Sequence, residues 1–350
     1  MPVSKPVSKP MSKPVPEPRP EPVRTRTTIR PQRLPLLAAT AATAALVVAS
    51  LFVGGYDISL RTLLDDPDAL DMFLISRVPR TLALILSAAA MGVCGVFMQM
   101  LVQNRIVEPT TTGASEWAAL GILLLALFAP AAPVLVRMGA ASAFAFAGTM
   151  AFLGVLRRVR LRSSVVVPLA GIMLGSVVSA LTLYLASGAD LLQMLTTWRS
   201  GGFSGTVRGQ YEPLWVVGLI VAALYLAADR FTIAGLGKDV ATNLGLRHER
   251  IMLIGVSMVA LATGVTTIVV GFVPFLGLVV PNLVSLLRGD DVRANLPWVV
   301  IGSVALMILC DLIGRVVVFP LEIPASVILG AVGATLFIGM ILRQRRTLHG

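Results

Sequence analysis

The sequence predicts an all-α protein that crosses a membrane many times, and three observations carry that reading. Hydrophobic residues make up 56% of the 350 residues and charged residues only 13%. Soluble domains sit nearer 45–50% and about 25%. The mean hydropathy is +0.85. The apolar residues fall in long, nearly charge-free runs, and a spanning helix needs roughly 20 such residues. Length therefore counts spans here rather than soluble domains.

The first 33 residues are a separate polymer. The stretch VSKPVSKPMSKPVPEPRPEP repeats Pro every few residues and carries almost nothing large and apolar. Its prolines remove backbone donors, and it lacks the apolar surface that would offset ordering entropy. Met1–Arg33 is expected to be a basic, disordered cytoplasmic tail. Lys5, Lys9, Lys13, Arg19 and Arg24 give it charge for an anionic lipid face; the favoured reading is a dispensable extension. No signal-peptide pattern is present.

Ten apolar runs follow, over 34–346, with residues 347–350 as a short cytoplasmic end. The first, Leu34–Val53, rises directly from the tail. Pro79–Gln103 opens after Arg77 and closes before Arg105. Ser115–Ala129 and Pro133–Leu156 come next, the latter ending on Arg157 and Arg158. Val165–Ser187 runs to the segment holding Arg199 and Arg208. Leu214–Ala228 ends at Arg230, and Ile251–Val270 begins after Arg247 and Arg250. Phe272–Leu287 ends at Arg288, Leu296–Phe319 follows Arg293, and Ala325–Leu342 ends at Arg343. Ser115–Ala129 and Phe272–Leu287 are short for a full crossing. If all ten cross and the tail is cytoplasmic, 22 of the 29 Lys and Arg lie in cytoplasmic segments, and without the tail the split is 14 to 7. That asymmetry places both termini on the cytoplasmic side.

Several classes are excluded. Two Cys cannot build a disulfide scaffold, and two distant His cannot build a metal site. The net charge of +11 belongs to cytoplasmic loops, so nucleic acid is not expected as a partner. Gly237-Lys238 is followed by Asp239 and lacks the frame of a phosphate-cradling loop. No catalytic set can be assembled. No chain of ionisable residues marks the middle of a span, which argues against a coupled secondary transporter. Asp311 and Arg315 are spaced for a contact within one helix.

The run from Gly271 to Asn282 is apolar but holds Pro274, Gly277 and Pro281. Freed carbonyls are not tolerated against lipid, so this segment is either a jointed helix lining a path or a Pro-kinked helix inside the protein. Ala88, Ala89, Ala90, Gly92 and Gly95 permit close helix packing. Cys94 and Cys310 fit as small buried apolar residues.

Four blocks, in order, carry a further pattern. They are Arg77-Val-Pro-Arg80; Gln99, Asn104 and Pro109 with Thr112-Gly113-Ala114; Gly237-Lys-Asp239-Val-Ala241-Thr-Asn-Leu244-Gly245-Leu246; and Gly271–Gly289, followed by Asp311, Arg315, Pro320 and Glu322-Ile-Pro324. Together they resemble the FecCD family of bacterial ABC-importer permeases. The resemblance implies a ten-helix permease of the type II importer kind. It also implies a second permease copy or paralogue, two cytoplasmic ATPase subunits and an extracytoplasmic siderophore-binding protein. ATP and Mg would belong to the ATPase, and no cofactor or metal to this chain. Where the commoner pattern reads Asn-Pro-Leu-Ala-x-Pro, this chain has Asn104-Arg-Ile-Val-Glu-Pro109. Where it reads Val-Pro-His, this chain has Val280-Pro281-Asn282. Both variants resemble the branch serving catecholate siderophores such as petrobactin or anguibactin, rather than haem or cobalamin.

By that resemblance Arg77, Arg80 and Arg315 receive the binding protein; interfacial snorkelling with an Arg315–Asp311 bridge is the rival reading. Gly237, Asp239, Ala241, Leu244, Gly245 and Leu246 couple to the ATPase, with Ala241 and Leu244 on one helix face. Gln99, Asn104, Pro274, Gly277, Pro281 and Asn282 line the path. The Asn282 amide either meets polar cargo or caps backbone freed by Pro281.

Overall fold

The structure, a computed structural model, describes residues 33–54, 61, 65–159 and 166–348. The basic tail, the Arg160–Arg162 part of one loop and the last two residues lie outside these bounds. No strand occurs among the described residues. The helices are α1 (Arg33–Phe52), α2 (Pro67–Met72), α3 (Val78–Val102), α4 (Ala114–Phe128), α5 (Val134–Val159), α6 (Val166–Gly188) and α7 (Leu192–Ser200). They continue as α8 (Leu214–Gly235), α9 (Lys238–Asn243), α10 (His248–Val270), α11 (Leu276–Arg288), α12 (Val292–Val316) and α13 (Ala325–Leu348).

Local chemistry sets several of these ends. Asp66 caps α2 by accepting from the Asp68 amide. A π-helical turn, Phe73–Arg77, joins α2 to α3, whose first turn carries Pro79, where no donor is lost. Gln103 closes α3 in the left-handed region. Asp291 starts α12 by accepting from the Ala294 amide.

Seven of the helices, counting Pro67–Val102 as one, are long and apolar enough to cross a membrane, and three shorter apolar helices accompany them. The ten expected apolar runs thus all become helices; among the described residues seven are long and apolar enough to span. The others are Ala114–Phe128, Leu276–Arg288 and, within α13, the apolar stretch Ala325–Met340. Several boundaries also differ. Helix α8 continues to Gly235, seven residues past the expected end at Ala228, about two turns. Helix α12 starts earlier and stops at Val316. Helix α11 starts only at Leu276, because residues 271–275 are not helical.

Helix α3 is the centre of the molecule. Helices α8, α10, α11 and α12 all pack on it, and α1 leans on α12 at the edge. Phe97 and Phe231 meet edge to face, centroids 5.0 Å apart. The small residues of α3 do the work expected of them. Gly92 faces Ser303, and Gly95 lies directly on Gly277 of α11, so that a β-carbon on Gly95 would collide with the Gly277 carbonyl. Gly277 in turn sits under the Met91 carbonyl, where a β-carbon would lie 2.6 Å away. Cys94 and Cys310 are buried and unpaired.

This contact makes a test. Gly95→Leu should lower the melting temperature of the detergent-solubilised protein, since overpacking of a tight contact costs about 1–3 kcal/mol. Gly139 has open space where its β-carbon would lie, so Gly139→Leu should stay within about 0.5 kcal/mol of the parent. Equal melting of both variants would show that the α3–α11 contact is not close.

Candidate functional site

The break between α10 and α11 frees backbone groups inside the protein, and side chains from the α3–α4 connection take them up. Gly271 leaves the helix with φ 79°, and Phe275 caps α11 with φ 63°. The Phe275 amide donates to Glu108 Oε1 at 2.8 Å, and the Thr110 hydroxyl donates to the same oxygen. The Phe272 amide donates to the Trp198 carbonyl at 3.2 Å. Pro281 has no amide hydrogen for the Gly277 carbonyl, and Gln99 Nε2 donates to that carbonyl instead, at 3.2 Å. Asn282 Nδ2 donates to the carbonyls of Arg105 and Leu278, at 2.8 and 2.7 Å. Asn104 Oδ1 accepts from the Ile106 amide at 2.9 Å, a local turn.

The six residues expected to line one path therefore do not share one cavity. Pro274 borders a hollow of about 350 Å³ with Glu108, Thr110 and Phe275. Gln99, Asn104, Pro281 and Asn282 border another, of about 370 Å³, with Arg105 and Asp290. Gly277 is packed against α3. Gln99 and Asn282 already bond to backbone carbonyls. In the second hollow, Arg105 pairs with Asp290 at 2.7 Å. The Ser285 hydroxyl, then Arg105, hold the Asp290 carboxyl below its ordinary pKa.

Arg77, Arg80 and Arg315 come together, but not on the surface. They are 9%, 8% and 3% exposed. Arg315 bonds to Asp311, as their spacing foretold, and also donates to the Ser50 and Val53 carbonyls at 2.9 and 2.8 Å. Arg77 donates to the same Val53 carbonyl at 2.9 Å. Arg80 grips Asp311 at 2.8 Å and Glu322 at 2.8 Å. Ser204 donates to Glu322 as well. Three guanidiniums thus face two carboxylates, and the Nε atoms of Arg80 and Arg315 have no hydrogen-bond partner. The cluster ties the end of α1 to α3, α12 and the connection before α13.

The segment after α8 forms the expected short helix, α9, between Gly237 (φ 113°) and Gly245 (φ 79°). Ala241 and Leu244 do not share a face. Ala241 is fully buried against its own chain, whereas Leu244 is 61% exposed. Val240 is also exposed, at 42%, and the Leu244 amide bonds the Val240 carbonyl one turn back, so Val240 and Leu244 form an exposed apolar pair; Leu236, 64% exposed, lies just before the break at Gly237. Asp239 is exposed beside the pair. The Leu246 amide closes the turn by donating to the Ala241 carbonyl at 2.9 Å.

Glu108, Glu116, Arg199 and the short helix α7 were not singled out from the sequence. Glu108 is 1% exposed, yet it sits in a segment that reads as a polar loop. The one sequence signal was its place in the Asn104–Pro109 block.

Comparison with known proteins identifies the class. Residues 42–343 match the FecCD transport family. The chain is 46% identical over 312 residues to the petrobactin import system permease protein FatD of Bacillus anthracis, covering 89% of this chain and 92% of the relative. It is 40% identical to the ferric-anguibactin transport system permease protein FatD of Vibrio anguillarum, covering 77% and 86%. It is 30% identical to the vitamin B12 import system permease protein BtuC of Yersinia enterocolitica, covering 77% and 81%. A metal-chelate type ABC transporter solved in an inward-facing conformation shares the fold, with a TM-score of 0.74 at 22% identity over 88% of this chain and 98% of that one. The chain belongs to the FecCD transport family.

Two stability predictions follow from the charge cluster. Asp311→Asn leaves Arg315 and part of Arg80 uncompensated in a buried site and should cost about 3–5 kcal/mol, read as a large loss of thermal stability in detergent. Glu322→Gln, at a half-exposed edge, should cost less. Burial pushes the Glu322 carboxyl up, but the Ser204 hydroxyl and the Arg80 charge outweigh it, so its pKa lies below the ordinary value. Its contribution is therefore present above the ordinary carboxylate range and is lost as pH falls through the lowered value. Melting of the parent should fall on acidification more than melting of Glu322→Gln; parallel pH curves would show that Glu322 stabilises nothing.

Proposed function

We propose that this chain is the membrane-spanning permease subunit of an ATP-driven importer that carries ferric siderophore of catecholate type into the cytoplasm. The observation that carries this reading is the order of similarity, which is higher to the petrobactin and anguibactin permeases than to the vitamin B12 permease. Haem or cobalamin as cargo is correspondingly less favoured, as is an ATP-independent channel. In this reading all ten apolar helices lie in the membrane of a bacterium, with both termini cytoplasmic. The Lys and Arg asymmetry supports that direction. The short helix α11 is tolerated there because the irregular backbone before it is satisfied by Glu108 and Trp198 rather than left to lipid.

The chain pairs with a second permease copy or a paralogue. Two ATPase subunits dock from the cytoplasm, bringing ATP and Mg, and a siderophore-binding protein docks outside. The α9 segment is the coupling element. Its exposed apolar pair suits helix-in-groove docking, with Gly237 and Gly245 setting the segment's ends, Asp239 exposed beside the pair, and Ala241 and Leu246 holding it to the body. At the outer end, Arg77, Arg80 and Arg315 carry one positive charge more than Asp311 and Glu322 cancel. Their guanidiniums are buried and bonded inside, so that surplus acts on carboxylates of the binding protein through its field rather than by direct contact.

Val240→Asp combined with Leu244→Asp should abolish co-purification of the ATPase while the permease still inserts in the membrane. Normal assembly of that variant would remove α9 as the coupling element. For cargo, cells lacking this chain should lose uptake of radiolabelled ferric petrobactin and regain it on complementation. Restoration of haem or cobalamin uptake instead would replace the cargo assigned.

A further inference from the structure

The two hollows beside α6 are bordered by Glu116 and Arg199, charges that neither the fold described above nor the coupling scheme uses. One is the hollow of about 350 Å³ bordered by Glu108 and Pro274; the other, of about 370 Å³, adjoins it and shares Thr110, Glu116, Ile172 and Arg199. The Glu116 carboxyl reaches Gly175, near the middle of the 23-residue helix α6, within 3.4 Å of where a β-carbon would stand. Its Oε2 is buried without a hydrogen-bond partner, as is Oε2 of the fully buried Glu108 at the same hollow. Arg199 lies in the last turn of helix α7, is exposed, borders the hollow and acts electrostatically on Glu116. No ion pair joins the two.

Sequence position hides this arrangement. Glu116 is the third residue of α4 and reads as the end of a span. The connection before it folds back into the protein, with Thr111 and Gly113 against Gly171 and Gly175 of α6. The start of α4 therefore lies at the depth of the middle of α6. Ionisable groups at that depth are costly against lipid and are kept where water or a polar ligand meets them. The walls match such a ligand. Ile172, Phe272 and Phe275 give apolar faces, Thr110 and Ser326 give hydroxyls, and the two charges stand apart with spare hydrogen-bonding capacity.

We propose that Glu116 and Arg199 form a two-sided contact site for the iron chelate as it passes this chain. This rests on the permease reading above. Arg199 takes anionic oxygen donors of the chelate, and Glu116 accepts from its N–H or O–H groups. The ligand class is an anionic, oxygen-rich metal chelate that also carries hydrogen-bond donors. A neutral, purely apolar cargo would leave both charges desolvated and unpaired.

The test uses the importer reconstituted in proteoliposomes with its ATPase and binding protein. The probe is a radiolabelled ferric catecholate chelate, and co-elution with the ATPase serves as the folding control. Arg199→Gln and Glu116→Gln should each slow uptake about tenfold, the worth of a hydrogen bond to a charged group. Arg199→Lys, which keeps the charge, should retain most of the rate. Parent-like uptake in both Gln variants overturns the contact site while leaving the permease reading intact. A Lys variant as slow as the Gln variant makes Arg199 a packing residue and overturns it too. An assembled parent complex that moves no chelate at all takes down both readings.

Discussion

A membrane protein that interrupts a helix has to find partners for every backbone group it frees, and the architecture around α11 is organised by that demand. The break at 271–275 exposes amides, and Pro281 strips the Gly277 carbonyl of its helical donor. Glu108 and Gln99 meet these needs from outside the helix. Both belong to the end of α3 and the connection that follows it. That connection is consequently drawn into the protein, which carries Thr111 and Gly113 onto α6 and Glu116 to mid-depth. One local satisfaction problem thus sets the path of a distant loop and the position of an ionisable side chain. The low dielectric that makes unpaired groups costly is also what gives these few bonds their leverage.

The outer end obeys a related rule with charge in place of backbone dipoles. Three arginines are admitted to the interior because Asp311, Glu322 and the last carbonyls of α1 receive them. Two guanidiniums converge on the Val53 carbonyl, at the negative end of a helix dipole. The network joins elements far apart in sequence, so its value lies in fixing their relative position as much as in stability.

The apolar helices were legible in the sequence to within a few residues, because a long run free of charge has one cheap conformation in lipid. Gly92 and Gly95 were legible as packing residues for the same reason: small side chains imply close backbones. The Asp311–Arg315 bond followed from helical spacing. What the sequence concealed was long-range satisfaction. Gln99 and Asn282 stood out as polar residues in apolar surroundings, which fits a path, but each bonds a carbonyl far away in sequence, Gly277 for Gln99 (178 residues) and Arg105 for Asn282 (177 residues). Ala241 and Leu244 were paired by spacing, yet Ala241 is fully buried and the exposed apolar pair is Val240 with Leu244. Glu116 was missed because helix numbering says nothing about depth once a loop re-enters the bundle.

The contact between Gly95 and Gly277 carries a mechanical meaning. Side chains between two helices act as a layer of bearings, since rotamer changes let the helices slide. Here that layer is missing, and backbone rests on backbone. A shift of α11 by one residue along α3 would bring Leu276 or Leu278, both fully buried, to the place where only a hydrogen atom fits. Helices α3 and α11 accordingly form one stiff strut. Helices α6 and α7, whose faces border the hollows, are not part of that strut.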